Sequence, residues 1–188
     1  MSIFVNTVDS IGDEALTSSI IDRSITEILD NYVTSIGGNA FSGCSSLTTA
    51  DFPAATSIGS SAFQSCSKLT TADFPAATSI GGNAFSGCSS LTTADFPAAT
   101  SISGAAFHLC SKLTALILRS ATMATLSSTS AFSSTPIASG TGYIYVPAAL
   151  VDRYKAATNW STYANKFRAL EDYTVDGTVT GALDESKI

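Results

Sequence analysis

Apolar residues recur along most of this chain with a period far longer than that of a helix or a strand. Ile36, Ile58, Ile80 and Ile102 are 22 residues apart. Phe41, Phe63, Phe85 and Phe107 keep the same step, as do Cys44, Cys66, Cys88 and Cys110, and Leu47, Leu69, Leu91 and Leu113. Within one period, Leu47, Ala50 and Phe52 form the pattern L-x-x-A-x-F. Its end alternates apolar and polar, as a strand with one buried face requires. Leu47, Ala50 and Phe52 then point inward, and Thr49, Asp51 and Pro53 outward. Pro53 lacks an amide donor and should end the strand. Ile58 anchors the return side, and Gly59 is expected to supply a turn. Ala62, Phe63 and Cys66 stand at one-turn spacing, which predicts a short helical turn on the outer side. Self-similarity at a fixed period predicts stacked coils sharing one core, with parallel strands about 4.8 Å apart.

The flanks of the array degrade. Ile25 and Ile28 stand one period before Leu47 and Ala50, but Asp30 replaces the Phe. Ser10-Ile11-Gly12 echoes Ser35-Ile36-Gly37 at a step of 25. Beyond Leu113 the strand becomes Leu116-Ile117-Leu118-Arg119, more apolar than its siblings and without the Pro, and Ala131-Phe132 reads as a last echo. End repeats with one neighbour are expected to deviate in this way. The predicted organisation is an N-terminal cap with a degenerate half repeat at 1–24, a solenoid at 25–135, a capping module at 136–170, and a hairpin or flexible tail at 171–188. In the capping module Tyr143-Ile144-Tyr145-Val146-Pro147 reads as a strand, and Leu150, Val151, Tyr154 and Ala157 as the apolar stripe of a helix. Asn159 is a candidate cap for a second short helix carrying Trp160, Tyr163 and Phe167. Asp176-Gly177 between alternating apolar positions is a hairpin signal.

The phrase Thr56-Ser57-Ile58-Gly59-Ser60-Ser61-Ala62-Phe63-Gln64-Ser65-Cys66-Ser67-Lys68-Leu69 resembles the BspA-like (Treponema pallidum type) leucine-rich repeat, over about residues 10–135. That resemblance implies a leucine-rich repeat solenoid, with a short parallel β-strand per 22-residue repeat, irregular or short helical turns on the outer side, and an α-helical/β C-terminal cap. It further implies a non-enzymatic protein-binding or adhesion module of a bacterial surface. The alternative is a structural or assembly component of a phage or prophage particle, or of a larger surface complex. Ala50, Ala72 and Ala94 depart from the family, which usually places a larger aliphatic there, and predict a thinner core. The resemblance implies an extracellular or cell-surface location, whereas Met1–Val5 lacks the basic and long apolar regions of a secretory signal.

Composition narrows the function classes. The 188 residues carry a net charge of −6, and only 13% are charged, while serine and threonine number 30 and 24. The surface is therefore expected to be wetted by hydroxyls. An acidic balance without a basic run argues against nucleic acid as a partner, and no apolar stretch is long enough for membrane insertion. The expected partner is a protein or glycan surface.

The candidate chemistry is sparse. Four cysteines in one column read as buried thiols acting as small hydrophobes, because stacked side chains point the same way and make poor disulfide geometry. A single file of thiols with one His is not a tetrahedral zinc set, and no metal or cofactor is expected. Asp51, Asp73 and Asp95 form an outward ladder, a solvated acidic stripe whose mutual repulsion should either hold counterions weakly or raise carboxyl pKa values. The lone His108 and the absence of a nucleophile or phosphate-loop motif argue against catalysis. The candidate binding surface is the concave sheet formed by Thr49, Asp51, Thr71, Asp73, Thr93 and Asp95, extended by Ile117 and Arg119.

Overall fold

A computed structural model describes residues 24–173, together with the backbone of residues 2–4, 10–11, 174–175 and 178–179. Each repeat contributes one three-residue strand and one two-residue strand. The three-residue strands are β1 (Ser2–Phe4), β3 (Glu27–Leu29), β5 (Thr49–Asp51), β7 (Thr71–Asp73), β9 (Thr93–Asp95) and β11 (Ala115–Ile117). The short return strands are β2 (Ser10–Ile11), β4 (Ser35–Ile36), β6 (Ser57–Ile58), β8 (Ser79–Ile80), β10 (Ser101–Ile102) and β12 (Thr125–Leu126). The return strands form one parallel sheet in the order β12-β10-β8-β6-β4-β2. Equivalent residues face each other in register, Ser57 against Ser79 and Ile58 against Ile80.

The core runs through the coils as columns of like residues. Phe41, Phe63, Phe85, Phe107 and Phe132 stack with centroids 5.0, 5.4, 5.5 and 5.6 Å apart and near-parallel planes. Phe132 therefore closes the array as its last echo. A second column, Phe52, Phe74 and Phe96, packs beside it. Each ring is fully buried, which stabilises the fold by roughly 1.5–3 kcal/mol per side chain. The hydroxyls bind coil to coil: the Oγ1 of Thr70 donates to Thr48 O and that of Thr78 to Thr56 O, both at 3.1 Å. A chain so rich in threonine thus spends much of that hydroxyl chemistry on its own backbone.

The outer side holds turns in place of the expected helical turn. The amides of Ser61, Phe63 and Ser65 donate to Gly82, Ala84 and Ser86 of the following coil, whereas Gln64 and Cys66 donate back to Ser61 and Phe63. A helix would direct every amide within its own segment. Here alternate amides leave to join the next coil, and Ser61 and Ser65 take positive φ of 56° and 61°. Gly59 opens the expected turn, the Ala62 amide donating to its carbonyl at 3.3 Å, and it has a second purpose. A Cβ there would lie 2.6 Å from the carbonyl carbon of Gly37, so the glycine lets two coils approach.

The C-terminal segment extends the repeat sheet. Residues β13 (Tyr143–Val146) and β14 (Phe167–Ala169) continue it in parallel, in the order β14-β13-β11-β9. α1 (Pro136–Ser139) precedes β13, and between β13 and β14 lie α2 (Val151–Ala156) and a 3-10 segment over Trp160–Lys166. Asn159 does not cap that segment. With φ of 63° it sends its Nδ2 to Leu126 O at 2.7 Å, because the last return strand has carbonyls with no further coil to receive them. β15 (Thr174–Val175) and β16 (Thr178–Val179) pair antiparallel; the intervening Asp176-Gly177 and residues 180–188 lie outside the described residues, as does most of the segment 1–24.

Candidate functional site

The three-residue strands place alternate side chains in the core and on an outer face. Ala50 and Ala94 are buried, while Thr49, Asp51, Thr93 and Asp95 are half-buried and Thr71 and Asp73 exposed. Register aligns the outward residues in two columns. Thr49 opposes Thr71 and Asp51 opposes Asp73. Farther along, Thr93 opposes Ala115, which opposes Tyr143; Asp95 opposes Ile117, which opposes Tyr145, and Tyr145 opposes Arg168. The expected surface residues thus take the outward positions of their strands, in two registered groups on either side of the β7–β9 break, with one correction. Ile117 is only 1% exposed. Its register neighbours are Asp95, which is gripped by Arg119, and Tyr145, which packs on Tyr173. Ile117 thus lies, in register, between the Asp95–Arg119 ion pair and the Tyr145–Tyr173 pair.

Arg119 stands where the repeats carry Pro97 and its copies. It reaches back one coil to Asp95, with Nε 3.2 and 3.1 Å from the two carboxylate oxygens and Nη2 2.8 Å from Oδ2. This fork cancels the charge of the last acid in the ladder. Asp51 lacks such a partner among the described residues. Its carboxyl is held above the ordinary range, chiefly by partial burial and further by the neighbouring Asp73.

The face is interrupted at its middle. Strands β7 and β9 do not pair: β7 ends one sheet and β9 begins the next. An open cleft of about 320 Å³ lies there, lined by Thr71, Ala72, Asp73, Thr93 and Asp95 among others. The Phe74–Phe96 centroid distance widens to 6.4 Å, against 5.6 Å for Phe52–Phe74. On the other side of the coils β8 and β10 remain paired, so the coils splay along one edge only.

Sequence reasoning did not include the aromatic end of this face. Tyr143, Tyr145 and Tyr173 pack edge to face, at 6.4 and 4.8 Å between centroids, and the Arg168 guanidinium lies 4.3 Å from the Tyr143 centroid. The signal was present in the Y-I-Y-V alternation, which places both tyrosines outward once β13 is known to extend the repeat sheet.

The thiols of Cys66, Cys88 and Cys110 are buried and donate to the carbonyls of Phe41, Phe63 and Phe85 at 3.1–3.2 Å. Burial pushes all three upward, Cys110 to about 12. A thiol so protonated is a poor nucleophile.

Six copies of the BspA type leucine-rich repeat region match residues 9–139. The chain belongs to this family. Its fold is similar to that of a leucine-rich repeat protein from Bacteroides ovatus ATCC 8483, with a TM-score of 0.66 at 21% identity over 88% of this chain and 42% of that one. It is also similar to a leucine-rich cell surface protein from Faecalibacterium prausnitzii A2-165, with a TM-score of 0.52 at 25% identity over 86% of this chain and 43% of that one. The BspA-type chain thus spans less than half the length of either structure. No curated protein matches it. Among the described residues, no helix is long and apolar enough to cross a membrane.

Proposed function

We propose that this BspA-type repeat protein is a non-enzymatic binding module, adhesive in the manner of a bacterial surface protein, which takes a protein partner on the face of its three-residue strands. One observation carries the reading. The outward columns of the repeats run into Tyr143 and Tyr145 through the register Ala115–Tyr143 and Ile117–Tyr145, so hydroxyls and acids on coil after coil share a surface with clustered tyrosines and Arg168. Tyrosine and arginine are the side chains on which protein interfaces most often concentrate their energy. The name of the Faecalibacterium structure, a cell surface protein, supports the same reading.

The test is a double substitution, Asp73→Lys with Tyr145→Ala, compared with Lys68→Glu on the outer turns. Partners are cross-linked to the purified protein on intact cells and identified. Loss of a cross-linked partner in the double variant, with retention in Lys68→Glu, supports the reading. Equal capture by all three proteins overturns it. Self-association through the ends of the solenoid, with no partner on the face, would instead favour an assembly role in a particle or surface complex.

A further inference from the structure

We infer that the segment bound by this face is extended and carries a cationic side chain at least about four residues from an apolar one. This rests on the reading of the face as a protein-binding surface and adds the partner's chemistry.

Charge along the outward face is unevenly balanced. Of the three aspartates on the face, Asp95 is occupied by the Arg119 fork. Arg168 is turned onto Tyr143, and its Nη1 donates to the carbonyls of Asn165 and Phe167 at 3.1 and 2.8 Å. Asp51 and Asp73 oppose each other in register, and no ion pair among the described residues satisfies either of them. The molecule itself shows what such a carboxylate accepts, since Arg119 grips Asp95 through two nitrogens. A guanidinium or ammonium from a partner would do the same for the Asp51–Asp73 pair and relieve the repulsion between them. The cleft beside Asp73 leaves room for its stem.

The second point of contact is the aromatic end. Across the cleft from Asp73, the column of Asp95 and Ile117 leads to Tyr145. Two paired steps of about 4.8 Å separate Asp95 from Tyr145, and the unpaired step from Asp73 to Asp95 is wider, so the span is at least about 14 Å, which an extended chain covers in about four residues or more. Tyr145, closed on one side by Tyr173 at 4.8 Å, offers apolar ring surface there.

The experiment is a titration of the 15N-labelled full chain, followed by amide shifts. The probes are Ac-Arg-Ser-Thr-Ser-Phe-NH2, the reversed sequence Ac-Phe-Ser-Thr-Ser-Arg-NH2, and the first peptide with Glu for Arg. One arginine peptide should move amides of residues 71–73, 93–95 and 143–145, and the Glu peptide should not. D51N/D73N should weaken that binding by about tenfold or more, as expected for loss of a charge-assisted contact, whereas D152N/E171Q, at exposed carboxylates elsewhere, should leave it unchanged. Equal binding of Arg and Glu peptides, absence of binding at millimolar peptide, or an equal loss in D152N/E171Q would overturn the inference. Selection of a displayed random dodecamer library on the same protein separates this failure from that of the underlying reading. Binders that map to Tyr145 but lack a basic residue sink the cation alone, and binders that map away from the strands sink both.

Discussion

The indole Nε1 of Trp160 donates to the carbonyl of Ala124 across 2.8 Å, and the amide of Ala124 donates to the hydroxyl of Tyr154 at 2.7 Å. In every earlier coil the backbone of the return strand is met by the backbone of the next coil. At the last coil it is met by side chains of the capping segment. Asn159 serves Leu126 and Tyr163 serves Thr129 in the same way. These side chains close a sheet edge that would otherwise be open to another chain.

Trp160→Ala should therefore be among the most destabilising single changes, by about 3–5 kcal/mol, since it removes a fully buried aromatic and an edge donor together. Tyr154→Phe keeps the packing and removes only the acceptor for Ala124, at a cost of about 1–3 kcal/mol. Urea unfolding of both variants checks the order; a Tyr154→Phe loss equal to that of Trp160→Ala would show that the polar contact, not the ring, dominates.

The thiol column has a pH signature. Cys66, Cys88 and Cys110 have folded pKa values raised above the ordinary one near 9. Their protonated state is favoured by folding, so their contribution is complete below about pH 9. It is lost as pH rises from there toward the folded values, because only the unfolded chain then releases its protons. Stability measured by urea unfolding should fall progressively above pH 9. A triple Cys→Ala variant should show a shallower fall over the same range. In the native protein at pH 8 these thiols should resist iodoacetamide, and they should react once the chain is unfolded.

Leu109 has φ of 59° and is 50% exposed. It occupies the position held by Gly43 and Gly87, which also have positive φ. A leucine in the left-handed region costs roughly 1–2 kcal/mol, and exposure returns little of that. Leu109→Gly should raise the unfolding free energy by about 1 kcal/mol. A decrease on chemical denaturation would refute the strain.

Arg119→Ala should change stability little, by about 0–1 kcal/mol, because the pair it forms with Asp95 is partly exposed. Its larger effect should be electrostatic. Freed of its partner, Asp95 joins Asp51 and Asp73 in an uncompensated acidic row, and the affinity of the arginine peptide should rise. A fall in that affinity would mean that Arg119 itself contacts the peptide.

The stack of coils was legible from the chain because each coil repeats the same short-range decisions. Ile58, Phe63, Cys66 and Leu69 recur in register and are buried in every copy, and the end of the array at Phe132 could be read as a fading echo. Thr49, Asp51 and their copies were assigned outward by strand alternation alone. Contacts between unlike segments were not legible. Ile117 follows the same alternation, yet it is buried, with Asp95 and Tyr145 as its register neighbours. Asn159 has the composition of a helix cap but serves a carbonyl 33 residues earlier. Tyr143 and Tyr145 joined the binding face only once β13 took its place beside β11. The separation of β7 from β9 lies furthest from anything the residues announce, since Leu-Thr-Thr-Ala-Asp-Phe-Pro stands on both sides of it, as it does where β5 and β7 pair. Periodicity prescribes what each coil buries, because that choice is local. How coils lean on one another and on the segment that closes them depends on partners distant in the chain, and those are settled only when the whole stack is assembled.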